Sequence, residues 1–323
     1  MKKNRVGNTD ISVSEIGLGC WTLGGLNWEN GKIANGWAPV DDTEAIEAVH
    51  YALENGVNHF DNADVYGNGR AERLLAKALG DKSSDVVISS KVGWFAGTAE
   101  HAYLPSNIRS QCEQSLVNLK RDTIDLYYFH HGDFGENDCY LDDAVDMMNR
   151  LKDEGKIRAI GLSAYSERDF KRLVPIVKPS VLQSWANITD SHFIAKNSTV
   201  INLCEEFDLS FIAFSPLDQG ILLNKYSGKN PPRFEDGDHR ANSEKFSAEA
   251  LLEVEKSLNL LGERFGNTTE EYARVALQFI LFHDRVASAI PGFRNIDQVK
   301  TNLSASGRPL NGEEMAFIRK SFA

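Results

Sequence analysis

Eight short apolar runs recur along the 323-residue chain, each followed by a longer stretch with helical spacing, and this rhythm narrows the fold more than any other feature. The runs are Ile16–Cys20, Val57–Phe60, Val86–Ser90, Ile124–Phe129, Ile157–Leu162, Val181–Trp185, Ser210–Phe214 and Val286–Ile290. Between them, DDTEAIEAVHYALENG places Ile46, Val49, Ala52 and Leu53 on one face and closes on Asn55-Gly56. RAERLLAKALG, SNIRSQCEQSLVNL, LDDAVDMMNRLKDEG, SERDFKRLVPIV, TVINLCEEFD and TTEEYARVALQFILF read the same way, with Pro175 as a stop or kink in one of them. Strand-then-helix units in this number, without a linker or low-complexity tract, predict one domain over residues 1–323. The expected architecture is an α/β fold, a (β/α)8 TIM barrel, with an N-terminal β-hairpin in RVGNTDISVSEIGLG and long active-site loops at 21–40 and 216–246.

Composition removes several classes of function. The net charge is −11 with dispersed basic residues, which disfavours nucleic acid and anionic membrane surfaces as partners. No uncharged apolar run reaches spanning length, and the N-terminus lacks an apolar export signal. Cys20, Cys112, Cys139 and Cys204 are far apart and form no C-x-x-C pair, so reduced thiols in a cytoplasmic protein are expected. No histidine or cysteine pair has metal-ligand spacing, and no metal is expected.

In a barrel of this kind the chemistry sits at the C-terminal ends of the strands. There the chain places Cys20-Trp21, Asp61 then Tyr66, Lys91, His130-His131, Ser163, Gln183, Phe214-Ser215-Pro216 and Pro291-Gly292. An acid, a phenol, an amine and an imidazole from three successive strands form a proton-transfer set if they converge. A phenol with a pKa near 10 exchanges protons slowly at neutral pH, and an adjacent ammonium such as Lys91 favours its phenolate. Taken singly, each also reads as a turn cap, a loop anchor or a surface charge. Asp64 and Arg70, in the same stretch, read as turn and helix-start residues.

The chain resembles the aldo-keto reductases through HFDNADVYGNGRAERLLAKAL, VVISSKVG, DTIDLYYFHHGD, EGKIRAIGLSAYS, VLQSWANITD, FIAFSPLDQGILLNKYSG and AIPGFRNIDQVKTNL, in that order. The resemblance implies a nicotinamide dinucleotide bound without a Rossmann domain, and a catalytic tetrad of Asp61, Tyr66, Lys91 and His130. Tyr66 would be the general acid for a carbonyl oxygen, tuned by Lys91 and Asp61, with His130 orienting the carbonyl. Ser163 and Gln183 match carboxamide-holding positions, and Phe214 matches a ring that stacks on nicotinamide. Ser215, Pro216, Leu217 and Gly220 fall on the pyrophosphate loop, and Gly292, Arg294, Gln298 and Asn302 at the adenosine end. Arg294 would favour NADP(H), with NAD(H) the alternative. Arg240 reads either as a phosphate contact or as a solvent-facing side chain. Three positions depart from the family pattern: Ala164 for Asn, Phe214 for Tyr and Thr301 for Glu.

Trp21, Trp28, Trp37, Trp94, Phe95 and His131 are candidates for the substrate wall, or for packing of the loops that carry them. The expected substrate is a small aldehyde, ketone, sugar or polyol. A second reading is a cofactor-sensing protein like the potassium-channel β subunits, which share the stretch seen here as GILLNKY. A glycoside hydrolase needs two facing carboxylates, and only Asp61 stands at a strand end.

Overall fold

In the computed structural model, which describes residues 1–29 and 32–322, the eight runs form one parallel sheet. A short antiparallel hairpin precedes it, β1 (Lys3–Arg5) and β2 (Ser12–Ser14). The sheet contains β3 (Leu18–Gly19), β6 (His59–Asp61), β7 (Val87–Val92), β8 (Ile124–Phe129), β9 (Ile157–Ser163), β10 (Val181–Trp185), β11 (Ser210–Phe214) and β12 (Val286–Ile290), each beside its predecessor. Parallel bridges from Ile16 to Ala289 and from Gly19 to Gly292 join the last strand to the first and close the barrel. β4 (Trp28–Glu29) and β5 (Ile33–Ala34) form a second small antiparallel pair within the long loop after β3, whose residues 30 and 31 lie outside the described residues.

The hairpin plugs the N-terminal end. Val6, Ile11 and Val13 pack against Val87, Leu126, Ala159, Val181 and Ile212 from the barrel lining. A larger apolar cluster lies between the strands and the helices α1 (Asp42–Glu54), α2 (Arg70–Leu79), α3 (Pro105–Leu119), α4 (Leu141–Asp153), α5 (Glu167–Val177), α6 (Thr199–Glu206), α7 (Ala248–Phe265), α8 (Thr269–Leu281), α9 (Ile296–Leu303) and α10 (Gly312–Ser321). Caps set the helix starts. Asp41, Ser166, Ser198, Thr268 and Asn295 each accept a first-turn backbone N–H. Pro175 neither stops nor shortens α5, which runs on to Val177. The carbonyl it leaves without a helical donor belongs to Lys171, an exposed residue.

Two glycines position the site. Gly161 faces the barrel axis, where a Cβ would stand 2.3 Å from the Tyr128 ring that fills the interior. Gly67, at φ +57°, lies so close to Gly24 that a Cβ would meet its carbonyl oxygen at 2.3 Å. That approach lays the turn bearing Tyr66 against the segment bearing Trp21.

Candidate active site

The barrel mouth opens into one cavity of about 660 Å³. Its lining includes Asp61, Tyr66 and His130 at one end and Gly292, Arg294, Gln298 and Asn302 at the other, with Ser163, Gln183, Phe214, Ser215, Pro216, Leu217 and Gly220 between. Every residue expected at the cofactor seat therefore lines the same groove.

Lys91 extends from within β7, where the apolar pattern alone would end the strand at Ser90. It is buried, and its ammonium has three partners: the Asp61 carboxylate, the Asn62 carbonyl at 2.7 Å and Tyr66 Oη at 3.2 Å. Three N–H donors thus meet three acceptors. Because Lys91 donates to Tyr66 Oη, the phenol's own proton is left for another acceptor. Lys91 does not make Tyr66 acidic in the resting protein. Burial raises the phenol well above its usual pKa, and the Asp61 charge adds to the rise. Asp61 neutralises much of the Lys91 field, so Tyr66 keeps its proton at neutral pH.

His130 follows β8 directly, held by its backbone N–H to the Val92 carbonyl at 2.9 Å. Its ring meets the Tyr66 ring edge-on at 6.0 Å. Burial, then Lys91 and His131, lowers its pKa well below the usual histidine value, so the ring is neutral. Nδ1 is buried without a partner among the described residues.

Trp21 stacks on Tyr66 at 6.0 Å and, with Trp94 and Tyr165, lines the mouth. Three of the expected wall residues, Trp28, Phe95 and His131, do not line the cavity, and two of them hold loops instead. Trp28 donates through Nε1 to Asp236 and packs on Gly237, pinning the loop after β3 to the loop after β11. His131 has both ring nitrogens engaged, Nε2 with the Gly93 carbonyl and Nδ1 with the Asp133 N–H. Each is spent on holding a loop.

Arg240 is likewise occupied. It donates from Nε and Nη2 to Asp238 and from Nη1 to Tyr226 Oη, with Trp37 and Phe234 rings 4.6 and 4.3 Å from the guanidinium carbon. It staples the same two loops, which also share backbone bonds from Gly36 to Gly237 and from His239 to Gly36, both at 3.0 Å. Lys225, which the spacing of GILLNKY conceals, is the cation on the groove without an ion-pair partner among the described residues, apart from Arg294. The residue is exposed, and its ammonium lies 5.1 Å from the centre of the Tyr226 ring. Partial burial, then repulsion from Arg240 and Arg294, lowers its pKa to about 8.

Arg70 begins α2 and ties it to Asp42 and the Leu23 carbonyl, as a helix-start residue should. Asp64 is different: neither carboxylate oxygen has a partner among the described residues, and burial, then the Glu72 charge, raises its pKa well above the carboxylate range. Burial thus holds this acid toward its protonated form. All four cysteines are free. Among the described residues there is no cluster of metal-ligating side chains and no helix long and apolar enough to cross a membrane.

Known proteins share this arrangement. The aldo/keto reductase family model matches residues 15–322. An uncharacterised oxidoreductase of Bacillus subtilis is 28% identical, covering 99% of this chain and 96% of its own. An aldo-keto reductase from Bacillus halodurans, in its holo form, superposes with a TM-score of 0.76 at 28% identity over 100% of this chain and 97% of its own. A glycerol dehydrogenase from Gluconobacter oxydans gives 0.79 at 25% identity over 99% and 95%. A closed (β/α)8 barrel, a buried Asp–Lys pair in contact with a half-buried Tyr at its mouth and a family match over nearly the whole length lead to one conclusion: the chain is an oxidoreductase and belongs to the aldo/keto reductase family.

Proposed function

We propose that the protein reduces the carbonyl of a small aldehyde, ketone or sugar with NADPH, or oxidises the corresponding alcohol, and that Tyr66 moves the proton. The observation that carries this reading is the three-way contact of Lys91 with Asp61, Asn62 and Tyr66 at the end of a groove of about 660 Å³ that runs on to Arg294 and Asn302. The residues of that groove suit the cofactor in kind as well as in place. Ser163 and Gln183 offer a hydroxyl and an amide, Phe214 offers a flat face, and Lys225 and Arg294 offer positive charge.

A bound nicotinamide supplies the hydride. The protein's own contribution is the proton. A carbonyl oxygen entering between Tyr66 and His130 would accept from the phenol and from the neutral imidazole, which fixes its position. As negative charge grows on that oxygen, Tyr66 releases its proton and the Lys91 N–H already on Oη stabilises the phenolate left behind. Burial of the cluster strengthens both interactions by excluding water. In the reverse direction the same phenolate withdraws the alcohol proton.

Arg294 donates its backbone N–H to Gln298 at 2.8 Å, which leaves the guanidinium, held only at 3.5 Å to the Pro39 carbonyl, as the available charge for a 2′-phosphate. NADP(H) is therefore the proposed cofactor and NAD(H) the weaker one. The Ala164 and Thr301 departures remove hydrogen bonds without removing charge, and Phe214 keeps the stacking face. The aromatic mouth suits a small carbonyl or polyol substrate, and the named activity of the glycerol dehydrogenase neighbour is of that type. Cytoplasmic residence fits four free thiols. A sensor without turnover has no use for an assembled proton relay.

The test is a titration with NADPH and separately NADH, read by tryptophan quenching. NADPH should bind more tightly, and Arg294→Met should weaken NADPH by about 10-fold or more, the worth of a charged hydrogen bond, while leaving NADH nearly unchanged. Equal loss for both cofactors would remove Arg294 from the 2′-phosphate. Binding of neither would remove the cofactor seat.

A further inference from the structure

The side chain of Gln183 does not end at the cavity wall. It crosses the barrel from β10 and donates from Nε2 to Asp61 Oδ2 at 2.8 Å, while Asp61 Oδ1 accepts from Lys91. β10 and β6 are separated in the sheet by three strands, so only a side chain reaching across the interior can make this bond. All three residues are buried. The orientation of the amide is dictated by chemistry: an ion-paired carboxylate only accepts, so the NH2 end must face Asp61. Oε1 is then the end left for the cavity.

We infer that Gln183 is a positioning residue of the proton relay as well as part of the cofactor seat, linking the groove to Tyr66 through Asp61 and Lys91. The bonds form one unbroken chain, from Gln183 Nε2 to Asp61, from Lys91 to Asp61, and from Lys91 to Tyr66 Oη. Asp61 is shared by two donors. With Gln183 in place, part of its charge is met from β10, and Lys91 remains free to hold Tyr66 as well. Without Gln183, an unsatisfied carboxylate oxygen is left in the barrel, the Asp61 charge draws Lys91 more strongly, and its field on the phenol increases. Both changes make Tyr66 a weaker acid. The groups facing this chain are His59 below Asp61 on β6, Cys20 after β3, Tyr128 on β8 and His130 at its end. The first three are buried and uncharged at neutral pH, and His130 is neutral, so Lys91 and Asp61 are the charges that Gln183 acts on.

The inference rests on the reductase reading, and its test separates the two. Gln183→Met keeps the length and removes both hydrogen-bonding ends. Gln183→Glu supplies a donor to Asp61 only while the introduced carboxyl is protonated. At saturating cofactor, Gln183→Met should lower kcat by about 10-fold or more at every pH, the rate equivalent of one hydrogen bond to a charged group. Gln183→Glu should recover activity at acid pH and lose it as pH rises. If both variants weaken only cofactor binding and keep the wild-type kcat and pH profile, Gln183 merely seats the cofactor and the inference is overturned.

A second readout needs no cofactor and no turnover. In the 1H–15N spectrum of the free protein, the Gln183 side-chain amide, assigned by its loss in Gln183→Met, should show a proton shifted downfield by its carboxylate partner. That resonance should move in Lys91→Met. A free-amide shift that ignores Lys91 would overturn the chain. Absence of turnover in the wild type would count against the reductase reading, and the amide resonance would still decide this one.

Discussion

Replacing Lys91 by methionine tests the buried cluster most severely. The Lys91 and Asp61 side chains are only 1% and 3% exposed, so the variant leaves a carboxylate in the barrel with Gln183 as its remaining donor. Removing one partner of such a pair costs about 3–5 kcal/mol, a large share of the roughly 5–15 kcal/mol that holds a folded domain together. Asp61→Asn in the same chain removes the stranded charge. The double variant should therefore be more stable than Lys91→Met alone, by about 1–3 kcal/mol, the coupling expected between residues in direct contact. Activity should not follow stability. Both variants lose the N–H that stabilises the Tyr66 phenolate, and kcat should fall about 10- to 100-fold or more in each. The assay is urea unfolding by circular dichroism at pH 7, beside steady-state turnover on the same preparations. A double variant no more stable than Lys91→Met would refute the argument that the uncompensated Asp61 charge sets the cost. Turnover restored with stability would refute the role given to Lys91.

Two pH dependences follow from groups near the site. His59 lies inside the barrel between Ser89 and Ser288, and burial lowers its pKa from 6.5 to about 4. A lowered folded-state pKa means that the unfolded chain binds the proton first, so this contribution is complete above about pH 6.5 and is lost as pH falls toward 4, by roughly 3 kcal/mol. Unfolding midpoints in urea across that range should flatten in His59→Gln, with a residual slope of the same sign from His130; an unchanged slope would contradict the assignment. Lys225, lowered to about 8, should make cofactor affinity decline as pH rises through that value, because only the charged ammonium attracts phosphate. Fluorescence titration of Lys225→Met should show weaker binding at pH 7 and no such decline, and an identical pH profile in the variant would remove Lys225 from the phosphate site.

The barrel is legible because its strands are buried on both sides and read as apolar runs: β8, β10, β11 and β12 begin and end where the sequence pattern puts them. β6 and β7 extend past the apolar runs to Asp61 and through Lys91. An apolar count stops at such residues, yet here each carries the other into the interior. The surface helix α7 is hard to see because it buries few side chains, among them Leu251, Leu258 and Leu261. The Trp28 anchor and the Arg240 staple depend on contacts between loops some 200 residues apart, which no local pattern encodes. Trp28 and His131 look like wall residues in sequence and act as loop anchors in the fold, because the partners that hold them, Asp236 and Gly93, lie on other loops. Asp61, Tyr66, Lys91 and His130 are each legible as strand-end residues; the bond from Gln183 to Asp61 is not, because it joins two strands that are not neighbours.

The central claim is that Tyr66 supplies the proton for carbonyl reduction. It is tested most directly by following NADPH oxidation with a series of small aldehydes and ketones in the wild type and in Tyr66→Phe, which keeps the ring stacked on Trp21 and removes only the hydroxyl. Carbonyl-dependent NADPH oxidation is expected in the wild type, with a loss of about 100-fold or more in Tyr66→Phe, within the range general acid catalysis contributes, at unchanged NADPH affinity. Wild-type turnover retained in Tyr66→Phe would contradict it.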